Sequence, residues 1–232
     1  YRPRRYHLPS PLAGTWYVSV YAPPQAKLAY IHTDADLIVI DKQAELLSVP
    51  GRGPEKADCA ISRVQADYPD ALTVHRLDMS TSGLLVFARS KAAQRHLAIQ
   101  LEKGGVEKTY VADVWGRPDP VTGQIDLPLA QDWPNRPRQK VDTENGKPSQ
   151  TQYETLDSHA NGARLRLTPL TGRTHQLRVH LSAIGHPILG DDIYAHTAAL
   201  GAATRLHLHA SRLTLRQPTT QDWLTFAAPV PF

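Results

Sequence analysis

The sequence contains little cysteine and no long apolar segment. Its one cysteine, Cys59, cannot form an internal disulfide, and no zinc-type cysteine spacing is present. No apolar run approaches the roughly 18 residues that a membrane-spanning helix needs, and residues 1–14 lack the apolar core of a signal peptide. We therefore expect a cytoplasmic chain that folds without disulfides and does not enter a membrane.

The sequence also lacks the common motifs for nucleotides and metals. It contains neither GxxxxGK[ST] nor GxGxxG, so we expect no nucleotide cofactor. Two histidine pairs, His175 with His180 and His207 with His209, have no carboxylate or cysteine companions nearby, which favours structural roles over a metal site. Ser82 does not lie in the GxSxG motif of serine hydrolases. We expect no metal and no other cofactor.

Basic residues are concentrated in the last third of the chain. Residues 158–221 contain seven arginines, whereas their only acidic residues are Asp191 and Asp192. This segment is suited to binding a polyanion such as nucleic acid, although a solvated basic face would have the same composition.

Alternating strand patterns predominate over helical ones. LAYIHTDADLIVIDK predicts a hairpin, and KTYVADVW, ARLRLTPL and RLHLHASRLTL each alternate as strands do. No regular strand–helix rhythm is present, so we predict an α+β fold with a mixed, largely antiparallel sheet and flanking helices. Residues 28–232 are predicted to form one domain, and residues 1–27 an extension of unknown role with a strand at TWYVSVY.

Three segments have helical spacing. SKAAQRHLAIQLEKGG predicts a helix capped by Ser90 and ended by Gly104. DCAISRVQADYP predicts a shorter helix with Asp58 as its cap. In THQLRVHLSAIG, the spacing of the apolar residues predicts a third helix that Gly185 closes.

The stretch HRLDMSTSG contains the acidic residue of greatest interest, Asp78. It follows a strand-like segment and precedes the apolar run LLVFA, so it lies in a loop that leads into a buried strand. Reacting groups often occupy such loops. A turn-forming aspartate that binds its own backbone is the alternative interpretation.

Three separated motifs resemble one known family. HRLDMSTSGLLVFARS, KTYVADVWG and LTGRTHQLRVHLSAIGHPILGD, in this order, resemble the RluA family of RNA pseudouridine synthases over about residues 28–228. SVPGRG, DYPDALTVHRLD and DWPNRPRQKV are similar to its A-type branch, which implies 23S ribosomal RNA and the anticodon stem-loop of tRNA as substrates. The resemblance further implies a sheet with a central RNA-binding cleft and no cofactor.

The resemblance assigns roles to individual residues. Asp78 matches the catalytic aspartate, Tyr110 the tyrosine that lies against the target base, and Arg178 the arginine that pairs with the aspartate. Without the motifs, Tyr110 would be interpreted as a core tyrosine and Arg178 as a surface helix arginine.

Several further residues are predicted to contact RNA. Arg76 matches the arginine that helps to fill the space left by the flipped base, and His75 and Arg173 belong to the same motifs. Trp133, Arg136 and Arg138 lie in a proline-containing loop whose aromatic and cationic groups suit loop RNA, although an ordinary surface loop has the same composition.

This chain departs from the family pattern in one loop, and one alternative function remains open. Where relatives often have NKPSGLLS, this chain has DKQAELLS, with Gln43 and Glu45 replacing proline and glycine, so the geometry of this loop is uncertain from sequence. A non-catalytic RNA-binding protein with the same cleft is the main alternative function. A monomer is expected.

Overall fold

The computed structural model describes residues 21–232, and these form an α+β fold. Four α-helices are present in the described part: α1 (Ala60–Asp67), α2 (Lys91–Glu102), α3 (Gln176–Ala183) and α4 (Thr197–Gly201). The same part contains twelve strands: β1 (Ala29–Thr33), β2 (Leu37–Lys42), β3 (Leu72–Thr73), β4 (Ser82–Ala88), β5 (Glu107–Trp115), β6 (Thr122–Asp126), β7 (Leu129–Gln131), β8 (Gln139–Val141), β9 (Gln150–His159), β10 (Gly162–Pro169), β11 (Leu208–Arg216) and β12 (Trp223–Ala227).

Ten strands form one mixed sheet. Eight follow the order β1-β2-β4-β11-β5-β10-β9-β6, while β3 pairs with β4 and β12 pairs with β11. The remaining two strands, β7 and β8, form a separate hairpin. Among the described strands, only β4 and β11 pair in parallel. The predicted mixed, largely antiparallel sheet is therefore confirmed.

β11 joins the two parts of the sheet. It lies between β4 and β5, and its contact with β4 is close because Gly83 faces the backbone of Ala210. Gly83 has a φ of 112°, and a side chain there would collide with the Ala210 peptide. Glycine is thus required where these strands meet.

The helices cover both faces of the sheet. Every residue of β4 is buried, since the strand packs on both sides, as expected for a continuous apolar run. α2 packs Ala93 and Leu97 into the cluster that contains Leu84 and Val86. α1 packs against the cluster that contains Leu85 and Phe87, which lie on the opposite face. α3 packs against β5 and β10.

For two of the predicted helices, the sequence also predicted the residue that caps the N-terminus. The Ser90 side chain accepts a hydrogen bond from the Ala93 amide and begins α2, as predicted. The prediction that Asp58 caps α1 is wrong, because Cys59 occupies the N-cap position. The Asp58 carboxylate instead pairs with Arg63, at 2.7 Å.

The segment before β1 lies against the body of the fold. The Tyr21 hydroxyl donates to the Asp58 carbonyl and accepts from the Leu47 amide, and Arg63 donates to the Pro24 carbonyl. The strand predicted in TWYVSVY lies, as far as residue 20, outside the described residues. Within residues 21–232, no helix has the length and apolar character needed to span a membrane.

Candidate active site

Asp78 lies in the loop between β3 and β4, and the backbone on both sides of it is fixed. The Ser48 hydroxyl donates to the Leu77 carbonyl, at 2.7 Å, and accepts from the Leu77 amide, at 3.0 Å. The ammonium of Lys42 donates to the Met79 carbonyl, at 3.0 Å. Because its neighbours are held, Asp78 has a defined position while its side chain remains 29% exposed. A reacting group needs both properties.

Lys42 connects this loop to the loop after β2. It is fully buried and donates two further hydrogen bonds, to the carbonyls of Gln43 and Leu46. Burial lowers the pKa of Lys42 to about 7, although the carboxylates of Glu45 and Asp78 act in the opposite direction. The loop contains the departure from the family pattern noted in the sequence. Glu45 there has a φ of 62°, the left-handed conformation that glycine adopts without strain.

Arg178 extends from the first turn of α3 towards Asp78. Its side chain is 3% exposed, and its Nη1 atom lies 4.0 Å from Oδ2 of Asp78. Asp191, which is fully buried, binds the same guanidinium in a bidentate pair, at 2.8 and 2.6 Å. Asp192 accepts a further bond from it, at 3.0 Å. Asp191 thus holds the arginine in place while one of its faces remains directed at Asp78.

The charge of Arg178 is stabilised within the protein. Burial alone lowers the pKa of Arg178, but its hydrogen bonds and proximity to Asp191 raise that pKa above its usual value. The sequence identified Asp191 only as one of two acids in a basic segment. Its position as the last residue of the third motif was the available signal.

Tyr110 enters the site from β5. Its ring packs at the junction of the two core clusters that contain Leu77 and Leu167. Burial raises the pKa of Tyr110 well above its usual value, and the nearby carboxylate of Asp78 adds to this effect. The phenol therefore remains protonated at neutral pH.

His175 is a fourth group beside Asp78, and it was not among the predicted site residues. Its Nε2 atom lies 3.9 Å from Oδ1 of Asp78, and its Nδ1 atom lies 2.7 Å from the Tyr194 hydroxyl. Burial lowers the pKa of His175, and Arg178 adds to this effect while Asp78 opposes it. The imidazole is therefore neutral at neutral pH.

The other paired histidines have structural partners. The ring of His180 lies within hydrogen-bond distance of Thr151 and the Leu127 carbonyl, and that of His209 within the same distance of Ser82. No group of three or more potential metal ligands occurs in residues 21–232.

Two of the predicted RNA contacts lie on the surface near the site. Arg76 is exposed, two positions before Asp78, and has no hydrogen bond or ion pair to any described residue. Arg173 is exposed in the loop before α3, where its side chain donates to the Pro148 carbonyl, at 3.3 Å. Both guanidinium groups are accessible to phosphate or base.

The β7–β8 hairpin presents the predicted aromatic and basic group. Trp133 is 65% exposed, and the guanidinium of Arg136 lies 5.1 Å from the centre of its ring. Arg138 extends the other way, donates to the Ile193 carbonyl and lies 5.1 Å from the centre of the Tyr194 ring. The hairpin therefore contacts the segment that holds Arg178.

His75 lies away from the residues that surround Asp78. Its Nε2 atom accepts a hydrogen bond from the Val86 amide, at 3.1 Å, on the face of β4 that packs against α2. Leu77 packs on the opposite face. Burial lowers the pKa of His75 to about 4, so the ring is neutral and fixed to β4 rather than directed at Asp78.

Comparison with known proteins identifies the family of this chain. Residues 36–183 match the family described as RNA pseudouridylate synthase. The chain is 52% identical over 214 residues to the dual-specificity RNA pseudouridine synthase RluA of Escherichia coli, covering 91% of this chain and 98% of the relative. The corresponding RluA of Pasteurella multocida is 50% identical over the same length.

Solved structures show the same fold. Human RNA pseudouridylate synthase domain containing 1 superposes with a TM-score of 0.74 at 28% identity, covering 91% of this chain and 87% of the human chain. Human RNA pseudouridylate synthase domain containing 4 gives a TM-score of 0.71 at 27% identity, covering 88% of each chain.

Proposed function

We propose, since the chain belongs to the RNA pseudouridylate synthase family, that Asp78 is the catalytic carboxylate with which it isomerises uridine in structured RNA. The protein is an RNA pseudouridine synthase, an isomerase. One observation supports the assignment of Asp78 above the others. Tyr110 and Arg178 come from distant parts of the chain, and both lie near the partly exposed carboxylate of Asp78.

The reaction suits a single ionised carboxylate. Pseudouridine forms when the N1–C1′ bond breaks, the base turns, and C5 bonds to the sugar, so the atoms of the nucleotide are rearranged within it. A carboxylate can attack or stabilise an electron-poor sugar carbon, or remove a proton from the sugar, and afterwards leave. Arg178 places a fixed positive charge 4.0 Å from Oδ2 of Asp78.

Tyr110 supplies a different kind of group. Its flat ring can stack on the displaced base, and its hydroxyl, which remains protonated, can donate to or relay a proton at the uracil ring. We assign Tyr110 to contact with the base rather than to attack on the sugar.

RNA must present the uridine outside its helix. Extracting a base from a stack costs about a few kcal/mol. Arg76 is exposed two positions from Asp78, so it can occupy the vacated space and offset part of that cost. Arg173 and the hairpin residues Trp133 and Arg136 provide phosphate and stacking contacts around the loop.

The substrates proposed are stem-loops of 23S ribosomal RNA and of the tRNA anticodon. The dual-specificity relative of Escherichia coli is 52% identical and is matched over 98% of its length, which supports the same substrates for this chain. An enzyme that modifies these RNAs would work in the cytoplasm, where the RNAs are made and used.

A non-catalytic RNA-binding protein is the alternative. Binding alone does not need a carboxylate that faces RNA phosphates, and it does not need a buried cation directed at that carboxylate. The pair of Asp78 with Arg178 therefore favours catalysis over binding alone.

Release of tritium tests the proposal. A short RNA stem-loop labelled at C5 of uridine should release label to water, because hydrogen leaves C5 when that carbon bonds to the sugar. Asp78→Asn should bind the RNA and release no label, once deamidation has been excluded by mass spectrometry. The control Asp157→Asn, exposed on β9, should match the wild type. Turnover by Asp78→Asn near the wild-type rate would overturn the assignment.

A further inference from the structure

A chain of hydrogen-bonding groups leads from the β7–β8 hairpin to Asp78. The Gln139 amide donates to the Tyr194 hydroxyl, at 2.8 Å. The same hydroxyl lies 2.7 Å from Nδ1 of His175, and Nε2 of His175 lies 3.9 Å from Oδ1 of Asp78. Neither Tyr194 nor His175 has a role in the proposed chemistry so far.

The partners of the Tyr194 hydroxyl decide which imidazole nitrogen carries the proton. The hydroxyl accepts from Gln139, so its own hydrogen needs an acceptor. Among the described residues, that acceptor is Nδ1 of His175. In a neutral imidazole whose Nδ1 accepts, the hydrogen is on Nε2. The donor nitrogen of His175 therefore faces the carboxylate of Asp78.

The backbone of His175 has a conformation that is typical of functional sites. His175 has a φ of 54°, the left-handed region, and occupies the N-cap of α3 without a capping hydrogen bond from its side chain. Non-glycine residues held in this conformation concentrate at functional sites. The conformation turns the ring towards Tyr194 and Asp78 instead of towards the helix amides.

We propose that His175 is a positioning residue for Asp78, and that Tyr194 holds its imidazole in the form that donates from Nε2 to the carboxylate. This inference rests on the proposed role of Asp78. In the free protein the separation of 3.9 Å is longer than a hydrogen bond. Catalytic hydrogen bonds are often long before substrate binds and shorten in the complex.

Two substitutions at His175 separate its two nitrogens. Glutamine can place an amide donor where Nε2 lies, so His175→Gln keeps the contact with Asp78. Asparagine reaches only to the position of Nδ1, so His175→Asn keeps a partner for Tyr194 and loses the donor to Asp78. We expect kcat to fall roughly tenfold to a hundredfold in His175→Asn, the scale for misplacing a reacting group by about 1 Å. His175→Gln should retain most of kcat.

Substitution of Tyr194 tests the second part of the chain. Tyr194→Phe keeps the ring, against which the guanidinium groups of Arg138 and Arg178 pack, and removes only the hydroxyl. We expect a lower kcat with little change in KM for the stem-loop, because the side chains assigned to RNA contact are unchanged. Tyr153→Phe is the matched control, since its hydroxyl hydrogen-bonds only with the Pro120 carbonyl among the described residues.

The outcomes are distinguishable. Equal kcat values in wild type, His175→Asn and Tyr194→Phe would overturn the inference and leave the role of Asp78 intact. Equal losses in the glutamine and asparagine variants, with a parallel fall in melting temperature, would mean a structural role and would also overturn it. An active Asp78→Asn would instead overturn the proposed function, on which the inference rests.

Discussion

Arg178 binds Asp191 more closely than it approaches Asp78. The guanidinium makes two hydrogen bonds with Asp191, at 2.6 and 2.8 Å, whereas Nη1 lies 4.0 Å from the Asp78 carboxylate. Asp191 also accepts hydrogen bonds from the amides of Ile193 and Tyr194. The arginine is therefore anchored by one acid and directed at another, so Asp78 keeps free oxygen atoms for the reaction.

Asp191→Asn should both destabilise the protein and reduce its activity. The substitution leaves a buried guanidinium without its main counter-charge, which typically costs about 3–5 kcal/mol. Chemical denaturation should show this loss, and tritium release from the labelled stem-loop should slow because Arg178 is no longer held. Asp192→Asn is the matched control.

Asp192 also binds Arg178, but it is more exposed than Asp191 and accepts fewer hydrogen bonds. Its side chain is 68% exposed, and it accepts one bond from Arg178. Exposed ion pairs contribute about 0–1 kcal/mol, so Asp192→Asn should change the free energy of unfolding by no more than this. Equal effects from both substitutions would contradict the anchoring role of Asp191.

Two substitutions in the hairpin should weaken RNA binding in different ways. Trp133→Ala removes a stacking surface, which is worth about 1–3 kcal/mol per base, and should leave the salt dependence unchanged. Arg136→Met removes a cation and should lower the slope of log K against log salt by about 1. Binding to the stem-loop at several salt concentrations measures both. Unchanged affinity in both variants would make this an ordinary surface loop.

Glu45→Gly should stabilise the protein by about 0.5–1 kcal/mol. Glu45 has a φ of 62°, a conformation that costs non-glycine residues roughly 1–2 kcal/mol, and glycine recovers most of this after its own entropy cost. Glu45→Ala removes the same carboxylate without relieving the backbone, so it should bring no gain. Urea unfolding of both variants distinguishes backbone strain from the loss of charge.

Stability should fall as the pH drops from about 6.5 towards 4. Burial lowers the pKa values of His75 and His209 to about 4, so the unfolded chain binds more protons than the folded one in this range. In His75→Gln the glutamine oxygen can still accept from Val86, so part of this pH dependence should disappear. His159→Gln, on the surface, is the control.

The same variant tests whether His75 contacts RNA. The His75 ring accepts from the Val86 amide, so His75→Gln should leave affinity for the stem-loop unchanged at pH 7. A lower affinity at unchanged stability would mean that His75 contacts RNA, as the motif predicts.

Local patterns and motifs predicted much of the fold and the centre of the site. The alternation in KTYVADVW predicted β5, and the spacing of Ala93 and Leu97 predicted the buried face of α2. The roles of Asp78, Tyr110 and Arg178 came from motif resemblance, because no local property distinguishes a reacting aspartate from a turn-forming one. These roles remain predictions.

Long-range contacts were the part that the sequence did not predict. Asp191 binds Arg178 thirteen positions away, and Tyr194 binds His175 nineteen positions away, through a turn that no periodicity reveals. Asp58 failed as a cap for a local reason: α1 begins one position later, with Cys59 as its N-cap, and Arg63 within the helix binds the Asp58 carboxylate. The parallel pairing of β4 with β11 joins residues more than a hundred positions apart, which alternation alone cannot encode.

The position of β11 also orders events during synthesis. A nascent chain that ends at residue 205 already contains Asp78, Tyr110 and Arg178, but it lacks the strand that joins β4 to β5. The chain between β4 and β11 forms a long loop. Closing it is slow, because its conformational entropy is lost before the strands pair. Pairing of Leu208–Arg216 with both β4 and β5 is therefore the step that unites the two halves. Until β11 pairs, the part of the sheet beside Asp78 is not joined to the part beside Arg178.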